Sequence, residues 1–335
     1  MPSIQRIKIS DSMSSLTKVS VTAPARLHMG FIDLSGSLGR HFGSIGIALN
    51  EINTHLTLSK AGQRSISGPS AERADRCLTQ LCQELNVSDR VNITIEAAIP
   101  EHVGLGSGTQ MALAIGTALN AYHELGLTVR DIASVMDRGL RSGIGIGVFE
   151  HGGLVVDGGR GEKTITPPVL VHLDVPADWR FILVFDRRGQ GLHGEQEIAA
   201  FEALPPFPQD EAEHLCYLIM MQGLPAVAEH DIKQFGHVIS QLQQAVGKHF
   251  APAQGGIYAS KEVAKAMTWL TRQGAVAVGQ TSWGPTGFCA IEGAELADKI
   301  VQQAKVQFVD LVNLDFAVVS ANNQKGHSRL LLSSA

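Results

Sequence analysis

The sequence predicts an α+β protein of two halves, and three observations carry that reading. An alternating strand pattern at Val91, Ile93 and Ile95 runs through Gly104-Leu105-Gly106-Ser107-Gly108-Thr109 into a helical stripe at Met111, Ile115, Ala118, Leu119 and Tyr122. A second glycine loop, from Gly279 to Gly287, is flanked by strand patterns at Ala275–Val278 and Phe288–Ile291 and by helical patterns beyond them. Between the two lies Pro205-Pro206-Phe207-Pro208, the best linker signal in the chain, which divides an expected domain 17–204 from an expected domain 209–331.

Composition narrows the class. Over 335 residues the chain is 44% hydrophobic and 18% charged, with 35 glycines, which suits a compact, glycine-punctuated α/β protein. A formal charge of −5 argues against a general nucleic-acid binder. No apolar run reaches membrane-spanning length, and Met1 to Ser20 is too polar for a signal peptide. Cys77, Cys82, Cys216 and Cys289 are too scattered for a disulfide scaffold. The expectation is a soluble cytoplasmic protein.

Along the chain, residues 1–16 read as a loose leader. Lys18–Thr22 reads as a strand, and Pro24 predicts an edge or a break in it. Arg26 and His28 are two apart, so on a strand they share one face; with Asp33 they form either a satisfied surface or an anion-binding face. Residues 35–46 read as a glycine-rich loop carrying Arg40 and His41, and Ile45–Leu58 as one or two strands. A helix is expected over Ser70–Leu85, then the Val91 strand, the glycine loop and its helix. Thr128 with Asp131 suggests a capping box.

In Arg141–Gly153 the glycine density predicts a tight loop packed near a ligand rather than a helix, with Glu150 and His151 as its titratable pair. Strands follow at Leu154–Asp157 and Phe181–Phe185. A polar loop, Asp186–Glu195, then offers Arg187, Arg188, His193 and Glu195 as substrate contacts. Beyond the linker, helices are expected at Glu211–Val227, Ile232–Val246, Glu262–Arg272 and Glu295–Ala304, with a final strand pair in Val306–Val319.

The central loop reads as a phosphate cradle. Glycines let backbone come close, loop amides point inward, and a helix N-terminus adds about half a positive charge. No Lys follows the last Gly, and Gly-x-Gly-x-x-Gly is absent, so this is neither a P-loop nor a dinucleotide fingerprint.

Three motifs in order carry a resemblance: Pro24-Ala25-Arg26; Pro100 followed by Gly104 to Thr109; and Gln280-Thr281-Ser282-Trp283-Gly284-Pro285-Thr286-Gly287. The pattern, over residues 22–320, resembles the galactokinase, homoserine kinase, mevalonate kinase and phosphomevalonate kinase (GHMP) superfamily. The resemblance implies a two-domain fold: an N-terminal half like domain 2 of ribosomal protein S5 and a ferredoxin-like α/β sandwich. One departure bears on chemistry. With Ser142-Gly143-Ile144 over the first three residues of the superfamily's Ser-Gly-Val-Asp tetrad and Gly152-Gly153 over its Gly-Gly pair, Gly145 stands where the kinases carry their acid. A glycine cannot position or deprotonate an acceptor hydroxyl.

Local variants at Ala25–Leu34, Gly143–Gly159 and Ser282–Thr286 resemble one non-kinase branch, the β-ribofuranosylaminobenzene 5′-phosphate synthases. The resemblance implies condensation of phosphoribosyl pyrophosphate with 4-aminobenzoate or 4-hydroxybenzoate, release of pyrophosphate and carbon dioxide, and a place in methanopterin-type one-carbon cofactor synthesis. It implies Mg²⁺ as cofactor, without assigning ligands. The candidate catalytic residues are Arg26, His28, Asp33, Glu150 and Glu195. The candidate binding residues are Gly104, Leu105, Gly106, Ser107, Gly108, Thr109, Ser282, Trp283, Gly284, Arg40, Arg188 and His193. The expected partners are small molecules rather than nucleic acid or membrane, with a homodimer as the default assembly. An ATP-dependent small-molecule kinase using Glu150, or a non-catalytic phospho-ligand binder, are the alternatives.

Overall fold

The structure, a computed structural model, describes residues 16–188, 203–282, 284–324 and 328–333. Strands β1 (Leu16–Asp33) and β2 (Arg40–Lys60) form a long antiparallel pair, from Lys18 opposite Ser59 to Asp33 opposite Phe42. Next come β3 (Ser65–Ser67), α1 (Ala71–Leu85) and β4 (Val91–Ala97); β4 runs antiparallel to β2 and parallel to β3. Helices α2 (Ser107–Tyr122) and α3 (Val129–Val135) join α1 on one face of this sheet. The period-2 side chains Val19, Val21, Leu56, Leu58, Ile93 and Ile95 meet Met111, Ile115, Ala118 and Leu119 there. The Thr128–Asp131 capping box is formed as expected. Helix α4 (Ile144–His151) leads to β5 (Leu154–Asp157), β6 (Arg160–Gly161) and β7 (Val169–Leu173), which extend the first sheet or pair with β2.

Strand β8 (Trp179–Asp186) opens a second sheet. After α5 (Gln209–Leu218), a π-helical turn (Ile219–Gly223) and α6 (Leu224–Ala228) comes the long α7 (Ile232–Gln254). It is followed by α8 (Lys261–Arg272), β9 (Val276–Gln280), β10 (Gly287–Glu292), α9 (Ala294–Gln307), β11 (Leu314–Val319) and β12 (Ser328–Ser333). The second sheet has the order β11-β8-β10-β9, all antiparallel. Phe181, Leu183, Phe288 and Ala290 face Phe235, Ile239 and Leu242 of α7, while Ile182, Val184 and Cys289 face α8 and α9. The far half of β1, with Leu27, Met29 and Phe31, joins the α7 cluster. Thus α7 is packed against both sheets. The sheets also interleave in sequence: β8 precedes the proline-rich segment yet lies in the second sheet, and β12 pairs with β1 in the first.

Two local expectations are corrected, and of the two readings at Pro24 the structure has the edge. The glycine-rich stretch after Arg141 is helical over Ile144–His151, not a loop. Gly145 and Gly147 are buried, and an added Cβ at 147 would lie 2.6 Å from Val155, so close packing offsets the glycine penalty of about 1 kcal/mol each. Pro24 does not end β1; the ladder with β2 bulges between Pro24 and Arg26, and β12 pairs only up to Thr22, so no partner needs an N–H from Pro24 on that side. Val306 lies in α9, which leaves β11 as the one strand of the expected final pair. Cys77 and Cys82 are buried free thiols in the α1 core. Among the described residues no helix is long and apolar enough to cross a membrane.

Candidate functional site

The first strand pair holds the phosphate loop. The β1–β2 register shifts between Pro24 and Arg26, with the extra residues on β2, and the Arg26 N–H donates to the Leu105 carbonyl at 3.1 Å. The Arg26 side chain reaches back along the loop, with Nη1 donating to the Gly104 carbonyl at 2.8 Å and Nη2 to Ser282 Oγ at 3.5 Å. Thr281 Oγ1 also donates to the Gly104 carbonyl, at 2.9 Å. The loop and the second glycine loop therefore touch backbone to backbone. Gly104 has φ +80, and a Cβ there would lie 2.5 Å from the Thr281 carbonyl oxygen. Gly284 answers from the other side, where a Cβ would lie 2.6 Å from the Val103 carbonyl oxygen. Gly106, also at φ +80, precedes α2 as its N-cap, with no side chain closing the helix end. The first-turn amides of α2, from Ser107 to Thr109, are thus left for an anion.

Two cations that the sequence reading missed attend this helix end. Arg73, on α1, donates from Nη1 to Ser107 Oγ at 3.1 Å and from Nη2 to Glu101 at 2.7 Å. Arg138, after α3, brings Nη1 to 4.0 Å from the Cβ position of Gly108, while Arg73 Nη1 comes to 3.4 Å. The buried Nε of Arg138 has no hydrogen-bond partner among the described residues. Neither arginine stands in a recognisable motif.

Gly145 also belongs here. Gln110 Nε2 donates to its carbonyl at 2.8 Å, and an added Cβ would lie 3.0 Å from Thr109 Cγ2. An acid at position 145 would emerge beside the phosphate loop; this chain has only a hydrogen atom there.

His28 is 2% exposed. Its backbone N–H donates to Thr281 Oγ1 at 3.0 Å, and its ring packs edge-on against Phe31 with centroids 4.8 Å apart. Its Nε2 is buried without a partner among the described residues. Burial, and then the nearby Arg26 charge, hold its pKa well below the usual imidazole value, so the ring is neutral at pH 7.

The other sequence candidates lie apart from the loop. Asp33 accepts from the Ser35 N–H and hydroxyl and closes the turn after β1. Arg40 donates to the Gly158 and Gly159 carbonyls. Glu150 pairs with Arg130 at 3.0 Å. Arg188 bridges Asp186 at 3.0 Å and Glu262 at 2.7 Å, and it holds the Asp186 carboxyl below the usual carboxylate range. His193, Glu195 and Trp283 lie outside the described residues. Asp157, quoted only as part of a motif, is a buried anchor. It accepts from Ser44, Ser142 and the Gly143 and Gly159 N–H groups, and burial raises its pKa against these bonds.

Comparison with known proteins gives this geometry a family. Residues 72–153 match the GHMP kinases N terminal domain and residues 224–310 the GHMP kinases C terminal domain. A β-ribofuranosylphenol 5′-phosphate synthase of Archaeoglobus fulgidus is 35% identical over 277 residues, which cover 78% of this chain and 84% of that protein. The chain belongs to the β-ribofuranosylphenol 5′-phosphate synthase family. The synthase of the same name from Methanocaldococcus jannaschii is 34% identical over 67% of this chain and 76% of its own length. Among solved structures, homoserine kinase from Cytophaga hutchinsonii superposes with a TM-score of 0.59 at 18% identity, covering 98% of this chain and 100% of that one, so the kinase fold is kept.

Proposed function

We propose that this chain transfers the phosphoribosyl group of phosphoribosyl pyrophosphate to the carboxyl-bearing ring carbon of 4-hydroxybenzoate, releasing carbon dioxide and pyrophosphate. The observation that carries the reading is Gly145 beside Thr109: the anion site is kept, while the position of the kinase acid holds no functional group. The relatives are named for a ribofuranosylphenol phosphate, which supports 4-hydroxybenzoate over 4-aminobenzoate.

In this reading the first-turn amides of α2, with Arg73 and Arg138, hold the leaving pyrophosphate and stabilise charge as the C–O bond breaks. Ring electrons attack the anomeric carbon. The carboxylate then leaves as carbon dioxide and returns its electron pair to the ring, so no strong base is required. Arg26 spans both glycine loops and is suited to hold the carboxylate or the ribose 5-phosphate beside the loop. No three His, Cys, Asp or Glu side chains converge on a metal position among the described residues. Mg²⁺ is accordingly proposed to enter on the pyrophosphate oxygens, as part of the substrate. A cytoplasmic homodimer that supplies a methanopterin-type pathway completes the proposal.

The test is direct. The protein is incubated with phosphoribosyl pyrophosphate, Mg²⁺ and carboxyl-labelled 4-hydroxybenzoate, and labelled carbon dioxide is counted. Release that depends on both substrates is expected. No release with either benzoate, or conversion of ATP to ADP with an alcohol acceptor, would contradict it.

A further inference from the structure

The bare backbone at Gly145 shapes its neighbour on α2. A Cβ at 145 would lie 3.0 Å from Thr109 Cγ2, inside the distance at which carbon atoms pack, about 3.5–4.0 Å. Thr109 Cβ would follow at 3.4 Å and Gln110 Nε2 at 3.7 Å, so Thr109 Oγ1 comes no closer than that. The threonine thus turns its methyl toward α4 and its hydroxyl away from it. The two helices are held in this relation by Gln110, which is 0% exposed and donates from Nε2 to the Gly145 carbonyl at 2.8 Å. Thr109 is the third residue of α2, and helical side chains lean toward the N-terminus of their helix, here toward the first-turn amides. Its hydroxyl is accessible and has no hydrogen-bond partner among the described residues. The other hydroxyl of this turn, on Ser107, already receives Arg73 Nη1 at 3.1 Å.

We infer that the Thr109 hydroxyl donates a hydrogen bond to the pyrophosphate, and that Gly145 is a positioning residue that leaves room for the Thr109 methyl. The inference rests on the proposed reaction and goes further by giving the glycine a second role besides the lack of an acid. A threonine in a helix divides between two side-chain rotamers, one of which turns its hydroxyl back to a carbonyl three or four residues earlier. Here the methyl lies against α4 and no such bond forms. A side chain at 145 would push on that methyl, and the relief open to it is rotation, which gives the hydroxyl to the helix's own backbone instead of the ligand. The backbone at 145 is that of a right-handed helix, so alanine fits its conformation and the tight contact it meets is the Thr109 methyl. The pair therefore acts as a unit: glycine on α4 selects the rotamer, and threonine on α2 supplies the donor.

Calorimetric titration of Mg²⁺ and inorganic pyrophosphate into four variants tests it, with thermal unfolding of each beside it. Thr109→Val keeps a methyl toward α4 and loses the hydroxyl. It should weaken pyrophosphate binding about tenfold or more, as the loss of one hydrogen bond to a charged group does, with an unchanged melting temperature. Thr109→Ser keeps the hydroxyl and should stay within about threefold. Gly145→Ala should weaken binding at least fivefold when Thr109 is present, but less than twofold when combined with Thr109→Ser, which has no methyl to displace. General damage to the fold would lower binding alike in both backgrounds. If the unsubstituted protein binds pyrophosphate and Thr109→Val binds it as tightly, the hydroxyl is not a ligand group; the inference falls and the reaction stands. Equal losses from Gly145→Ala in both backgrounds would overturn the positioning role. If the unsubstituted protein does not bind pyrophosphate, the proposed anion site fails and this assignment with it.

Discussion

Replacing Arg138 with alanine separates binding from folding more cleanly than any other change at this site. Its Nε is buried without a partner among the described residues, so removing the side chain breaks no bond recorded for that nitrogen and deletes a desolvation cost. Stability should hold or rise. A hydrogen bond between a charged donor and the pyrophosphate is worth about 1.5–3 kcal/mol, which at 1.4 kcal/mol per decade is a loss of roughly 10- to 150-fold in affinity. The measurement is calorimetric titration of inorganic pyrophosphate with Mg²⁺ into both proteins, beside thermal unfolding of each. Weaker binding with an unchanged or raised melting temperature is expected. Unchanged pyrophosphate affinity would refute the assignment of Arg138 to the anion site, whatever happens to the melting temperature.

Other predictions follow from the same geometry. Gly106→Ala places a methyl 2.7 Å from Arg26 Cγ at φ +80, so KM for phosphoribosyl pyrophosphate should rise at least tenfold in steady-state assays, with a loss of about 1–2 kcal/mol in denaturant unfolding. Gly145→Asp puts a carboxylate beside Thr109 and the pyrophosphate; affinity for phosphoribosyl pyrophosphate should fall at least tenfold without any gain of kinase turnover. Arg188 lowers the folded-state pKa of Asp186, so that carboxylate stabilises the fold above its unfolded pKa and loses this contribution as pH falls through its lowered value. Asp186→Asn should therefore flatten the stability–pH curve below about pH 4, as read by thermal unfolding.

The sequence disclosed the parts of this site that are local. Strand, glycine loop and helix lie within about one supersecondary unit, and the glycines at 104 and 106 stand where φ is positive and backbone approaches backbone. Gly145 was legible because the Gly-Gly pair at 152–153 fixes its place without a gap. Arg73 and Arg138 were not legible. Each lies about thirty residues from the loop, in a segment whose pattern is that of an ordinary solvated face, and only the packing of α1 and α3 against α2 brings them in. Helix α4 was hidden because local propensity counts each glycine as a cost, whereas contact of Gly145 and Gly147 with Thr109 and Val155 reverses the balance. The placement of β8 and β12 follows from strand pairing across long stretches of chain, which no local pattern records. Conversely, Asp33 among apolar neighbours and Arg40 and Glu150 among glycines stand out in the sequence, and each has a structural partner that accounts for it.

In the proposed reaction a kinase-type phosphate loop holds a leaving group. A structure of the protein with bound Mg²⁺ and pyrophosphate tests it most directly. The pyrophosphate is expected on the amides of Ser107 to Thr109, between the guanidinium groups of Arg73 and Arg138 and within reach of Arg26. Pyrophosphate bound away from the start of α2, with these amides and arginines making no contact to it, would overturn this assignment.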